Sequence, residues 1–183
     1  KLYNQLEDAR ELSAKINACS RSGWSEVAIQ FCMEIPLAKK NVEKIHSKYK
    51  QELISSLEFI QKIDSDGASP RDDSGEPSQR DDFIKPSFGE KISGENFVII
   101  NVKNNIKDTM IGTIASIISN SSIYKEETTI IAMALNETEN KIKISARNVG
   151  NRGRNVREIL DRVIIPIGGE FGGHEFAAGG TID

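Results

Sequence analysis

The sequence predicts an α/β protein in two parts: an amino-terminal helical segment, then a small α/β domain built on a mixed sheet. Three observations carry this. Apolar residues recur at helical spacing through residues 1–63. Residues 64–82, "DSDGASPRDDSGEPSQRDD", contain one apolar residue, Ala68, and seven acidic ones. Residues 83–183 alternate strand-like apolar runs with short amphipathic stretches.

The helices come first. Leu2, Leu6, Ala9, Leu12, Ile16 and Cys19 lie on one helical stripe, and "SRSG" ends it. "SEVAIQFCM" after Trp24 reads as a short second helix. Pro36 suits the first turn of a longer third helix, whose stripe is Val42, Ile45, Tyr49, Leu53, Leu57 and Ile60. His46 lies beside that stripe among Lys and Glu, and is read as a helix-surface residue. Residues 64–82 cannot bury enough surface to offset their chain entropy, which predicts a disordered acidic linker.

The second part begins with "NFVIINV", a continuous apolar run expected of a strand buried on both faces. Asp108 is the expected N-cap of "TMIGTIASIISN", where Met110, Ile111, Ile114, Ala115 and Ile118 share a face. "TTIIAMAL" predicts a second buried strand. "KIKISAR" alternates Lys and Ile and predicts a half-buried one, joined to it by a hairpin turn at Asn136–Asn140. "NVREILDRVI" predicts a short amphipathic helix, and "EFAAGGTID" a helix or turn leading into a last strand. The resulting order is β-α-β-β-α-β.

Bulk properties narrow the function. Net charge is −3, which argues against nucleic-acid binding by overall charge but leaves room for a local basic patch. Cys19 and Cys32 have no CxxC partner and are expected as small buried hydrophobes in a reducing, cytoplasmic setting. No apolar run is long enough to span a membrane. The chain starts at Lys1, already in a helical pattern, and reads as a fragment whose amino-terminal part is missing.

Catalytic constellations are sparse. His174 has only Glu170 and Glu175 as close carboxylates, and "HE" without a second histidine is not a zinc motif. There is no Walker loop, and no GxGxxG between a strand and a helix. The chemistry that remains is anion binding. "GGEFGGHEFAAGG", residues 168–180, holds six glycines around His174. Successive glycines let backbone N–H groups point into one concavity that holds a phosphate. Arg147, Arg152, Arg154, Arg157 and Arg162 precede it, and the planar guanidinium suits phosphate. A plain glycine-rich turn with ordinary surface arginines explains the same composition equally well.

The same residues resemble a known family. "GGEFGGHEFAAGGTI" is similar to the GGGHxxAAG signature of the DHH-associated domain, which follows the catalytic DHH domain in RecJ-like exonucleases and related phosphoesterases. "VIINVKNNIKDTMIGTIASIIS" resembles the strand and helix opening that domain, "KISARN" its Ser-x-Arg strand, and "NVREIL" its short helix. "ARELSAKINACSRSG" resembles an ARE…LNACGR segment between the two domains of archaeal RecJ-like proteins, the group that works with the replicative helicase and the GINS complex. The eukaryotic helicase subunit of RecJ descent belongs to the same lineage.

The resemblance implies a binding role. Gly172, Gly173 and His174, with Ser145 and Arg147 from the Ser-x-Arg strand, would hold the backbone of single-stranded DNA or RNA; Arg152 and Arg154 are the further basic candidates. Ala177–Ala178 would let the next element pack closely against the sheet. The family's metal-binding aspartates and DHH triplet belong to the other domain, and no "DHH" occurs here. No cofactor is therefore expected in this chain; Mn²⁺ or Mg²⁺ is expected only if a DHH domain is present in the parent protein. The expectation is a non-catalytic, single-strand-binding module (residues 83–183) of a RecJ-like replisome protein, with GINS and the replicative helicase as partners. The alternatives are the carboxy-terminal half of a metal-dependent 5′-to-3′ single-strand exonuclease, or a helicase scaffold that binds GINS.

Overall fold

The computed structural model describes Tyr3, residues 8–66 and residues 89–183. The chain divides into two compact units, Lys1–Ser56 and Leu57–Asp183.

The first unit holds α1 (Ala9–Arg21), α2 (Ser25–Cys32) and most of α3 (Pro36–Asp66). Asp8 caps α1, its carboxylate accepting the Arg10 N–H at 2.7 Å. The helix ends at Arg21, and Gly23 takes a left-handed φ of +80° that an L side chain rarely adopts, as "SRSG" predicts. Cys19, Ala28, Phe31, Ala38 and Val42 form the core. Cys19 is the buried hydrophobe expected of it, and burial pushes its thiol pKa up. Cys32 is not: α2 turns its core face through Ala28 and Phe31, which leaves Cys32 exposed. His46 also departs from expectation. It is only 8% exposed, because α3 places it toward α1 rather than beside the buried stripe. Leu2 and Leu6 lie outside the described residues. So does the expected linker beyond Asp66; its first three residues continue α3.

The second unit is the mixed sheet with helices that the sequence predicts. Its elements are β1 (Glu90–Ser93), β2 (Phe97–Asn101), α4 (Asp108–Ser119), β3 (Thr129–Asn136), β4 (Lys141–Asn148), α5 (Val156–Ile164), β5 (Glu170–His174) and β6 (Ala177–Ile182), with a 3-10 turn at Ile165–Ile167. The strand order is β1-β2-β3-β4-β6-β5. Among the described strands only β2 and β3 pair in parallel, joined through α4. The β3–β4 hairpin closes where expected: Asn136 Oδ1 accepts the N–H groups of Thr138 and Glu139, and Asn140 is left-handed. Asn155 caps α5 through the N–H groups of Arg157 and Glu158.

The two helices cover opposite faces, each over a different part of the sheet. α4 packs on β3 and β4, burying Met110, Ile111, Ile114 and Ala115 on the face that carries Ile130 and Ala132. α5 packs Val156, Leu160 and Ile164 on the other face, against Ile144, Ala146 and Ala178.

Several sequence expectations change here. "NFVIINV" is not buried on both faces: Val98 and Ile100 are buried on one face, while Phe97 on the other is partly exposed. Asp108 is the first residue of α4 rather than its N-cap. Lys107 occupies the cap, and the Asp108 carboxylate instead accepts a 3.3 Å bond from Asn136 Nδ2. Two strands join the expected order, β1 and β5. "EFAAGGTID" is a strand from Ala177 onward, with no helix. Ala177 and Ala178 are therefore inside the sheet, between β4 and β5, rather than beneath a following element.

Candidate functional site

Strand register decides which candidate residues meet. Residues paired across neighbouring strands project to the same face. One row runs Ile130, Arg147, Ala177, His174; the next runs Ala132, Ser145, Gly179, Gly172. A third, Ala134, Lys143, Thr181, Glu170, completes the same face. This is the face that α4 covers over β3 and β4. Beyond β4 the rows continue onto β6 and β5 as Ala177, Gly179, Gly172 and His174, with Gly172 and His174 exposed. The result is a shallow platform of nearly bare backbone. Arg147 and His174 stand at one end, two strand spacings apart, or about 9.5 Å.

The adjacent glycines differ. Gly173 faces the α5 side, with φ +136°, and a Cβ there would lie 2.5 Å from Ala177 O and from Ala178 Cα. Glycine is required at 173 by the fold. Gly172 has no positive φ, and a Cβ there would meet nothing within 4 Å. Nothing in the fold requires glycine at 172; its missing side chain matters only to something that approaches from outside.

Ser145 lies in the same row as Gly172, 4% exposed, and among the described residues its Oγ has no hydrogen-bond partner. A buried hydroxyl left unpaired costs about 1–3 kcal/mol. Arg147 is half-buried, its Nη1 donating to Ala146 O at 2.8 Å and to Ala178 O at 3.1 Å. These bonds hold the guanidinium against the sheet at the platform's edge.

Arg152 and Arg154 are not in the rows. They are exposed in the loop 149–155, where Gly150 and Gly153 take left-handed φ. That loop is tied to β4 by Asn148 Nδ2 donating to Arg154 O at 2.6 Å. It is tied to the β5–β6 turn by the Val156 N–H donating to Glu175 O at 2.8 Å. Both arginines therefore belong to the end of the sheet that carries Arg147 and His174. The glycine stretch itself is not a nest of converging N–H groups: Glu170–His174 is an extended edge strand, whose amides alternate between β6 and the outside.

Two platform residues escaped the sequence reading. Lys143 shares the face of Ser145 and Arg147, and the period-two spacing 143, 145, 147 contains that signal. Gly179 was visible only as part of a glycine cluster, since its place between Ser145 and Gly172 depends on the order in which β6 and β5 join the sheet. Among the described residues, no group of three or more His, Cys, Asp or Glu is placed to hold a metal ion.

The sequence of this unit matches a known domain family. Residues 94–183 match the family model of the DHHA1 domain. The match runs from just before β2 to the end of the chain, so it includes the whole platform and leaves out β1. DHHA1 is the DHH-associated domain, a companion of nucleic-acid-related DHH proteins. No curated protein matches the chain. Among the described residues no helix is long and apolar enough to cross a membrane.

Proposed function

We propose that the DHHA1 domain binds the sugar–phosphate backbone of single-stranded DNA or RNA across the β4–β6–β5 platform, and that this chain does so without catalysis. The observation that carries the reading is Gly172: a glycine that no contact and no φ requires, in one row with Gly179 and the unpaired Ser145. A strand laid on that row meets backbone instead of side chains. Arg147 and His174 supply donors at one end, with Arg152 and Arg154 beside them. Phosphate contacts of this kind fix position without reading sequence.

The finer reading follows the sequence resemblance. The parent is a RecJ-like protein of the archaeal replisome lineage, acting with GINS and the replicative helicase. Phosphodiester hydrolysis, with its metal ions, belongs to a DHH domain of the parent. The chain alone is expected to leave a labelled oligonucleotide intact in Mn²⁺ or Mg²⁺.

The test is a fluorescence-anisotropy titration of a single-stranded oligonucleotide at three salt concentrations. Arg147→Ala should weaken binding by about 1–3 kcal/mol, as loss of a charge-assisted bond does. It should flatten the log–log salt slope by about 0.7, the value for one phosphate on a single strand. Unchanged affinity and slope in folded Arg147→Ala and His174→Ala variants would overturn the proposal.

A further inference from the structure

The helical unit carries a feature that the platform does not use. Trp24 is the one tryptophan of the chain, and it stands 57% exposed at the start of α2. Indoles are highly buried on average. Its backbone is fixed in place: the Trp24 N–H donates to Cys19 O at 2.8 Å, and Trp24 O accepts from Val27 and Ala28. The ring forms one wall of an open cleft of about 410 Å³, with Val27 and Ile45 as the other apolar walls. Asn41, Lys44 and Lys48 line the rest.

Lys44 and Lys48 also line an adjoining concavity of about 460 Å³, together with Lys40 and Gln51. The two lysines thus form a ridge shared by both hollows. Lys40, Lys44 and Lys48 follow one another at successive turns of α3, with Cβ atoms about 5–6 Å apart. Among the described residues, neither Lys44 nor Lys48 has an ion-pair partner, and the Asn41 amide has no hydrogen-bond partner.

We propose that this cleft is a second single-strand contact, in which an unstacked base lies against Trp24 while Lys44 and Lys48 take the flanking phosphates. The aromatic wall supplies stacking that tolerates any base. Asn41 offers a donor and an acceptor to a base edge. The lysine track continues past the cleft to Lys40, and positive charge repeated turn after turn complements a polymer of evenly spaced phosphates. An acidic peptide with one apolar side chain would use the cleft and its rim but has less use for that continuation. Glu43 borders only the second hollow and leaves the Trp24 cleft without a carboxylate. The site lies wholly within the helical unit and does not depend on the platform reading.

Because Trp24 is the sole tryptophan, the emission of the full chain reports on this site alone. Oligothymidylate should quench it, and an abasic oligonucleotide of equal length should not. Lys44→Gln/Lys48→Gln should weaken the quenching isotherm by about fivefold or more and flatten its salt slope by about 1.4, two phosphates' worth on a single strand. Arg147→Ala/His174→Ala should leave the quench at saturation unchanged. That variant separates the two sites: quenching with unaltered anisotropy sinks the platform and keeps the Trp24 site. Bound oligothymidylate without quenching overturns the Trp24 site and leaves the platform standing. Equal quenching by the abasic strand also overturns it. So does a peptide of alternating Glu and Leu that shifts Trp24 emission at a lower concentration than oligothymidylate, since the cleft then serves a protein.

Discussion

One face of the sheet is built in two ways. Over β2, β3 and β4 it presents Val98, Ile100, Ile130 and Ala132, all buried, with α4 against β3 and β4. Over β6 and β5 the same rows present Ala177, Gly179, Gly172 and His174, with no helix of the described residues on top. A sheet face that a helix will cover needs branched side chains to fill the gap between layers. A face of glycine and alanine offers a helix little side chain to bury unless the helix approaches closely, as α5 does over Ala178 and Gly180 on the other face. The bare half is therefore complementary to something thin and polar, while the packed half fixes its geometry. Ser145 sits on the border, belonging to the packed half by burial and to the bare half by row.

The sharpest way to break that comparison uses the two adjacent glycines. Gly173→Val forces a Cβ onto the β6 backbone at a φ of +136°. It should lower the stability of the sheet unit by about 3 kcal/mol or more, read as a large drop in the urea midpoint. Gly172→Val should change it by no more than about 0.5 kcal/mol, since its Cβ enters open space. Equal midpoints for the two variants would show that the open half is not open. Gly172→Val should instead act on binding, weakening a single strand by roughly 1–3 kcal/mol if the row is where the backbone lies. A folded Gly172→Val protein with full affinity would move the binding surface elsewhere.

Ser145→Ala sharpens the border. Removing an unpaired buried hydroxyl should stabilise the unit by about 1 kcal/mol. If the hydroxyl turns to a ligand on binding, the same variant should bind more weakly while being more stable, a combination that packing alone does not produce.

The smallest effect serves as a control in the other unit. Burial holds the His46 pKa below its ordinary 6.5, helped by Lys50 and Lys15 and opposed by Glu11. The unfolded chain then takes up this proton first on acidification. The stability contribution is complete above pH 6.5 and is lost as pH falls from there through the lowered folded value. His46→Gln should flatten that slope for the helical unit and leave the sheet unit's profile unchanged. A shared change in both profiles would show that the two units do not respond separately.

Much of this was legible in the residues. Helices were readable where apolar spacing was regular, as in α1, α3, α4 and α5, because a helix needs only its own periodicity to be recognised. The parallel and hairpin strands were readable from "FVIIN", "TIIAMAL" and "KIKIS". β1 was missed because "EKIS" is short, and β5 because "EFGGH" has glycine where strand-forming residues belong. His46 and Cys32 were misplaced because a helical stripe tells which residues are apolar, not how far the neighbouring helix reaches around it.

The sequence by itself determined the α/β class, the residues of the signature and the basic loop beside it. Only the tertiary structure decided what the signature residues do. Register is a property of pairs of strands, and insertion of β6 between β4 and β5 puts Ser145, Gly179 and Gly172 in one row. The same register leaves Gly172 facing open space, while Gly173, at φ +136°, would drive a Cβ into the β6 backbone. Two identical letters, adjacent in the chain, thereby receive different reasons to be glycine.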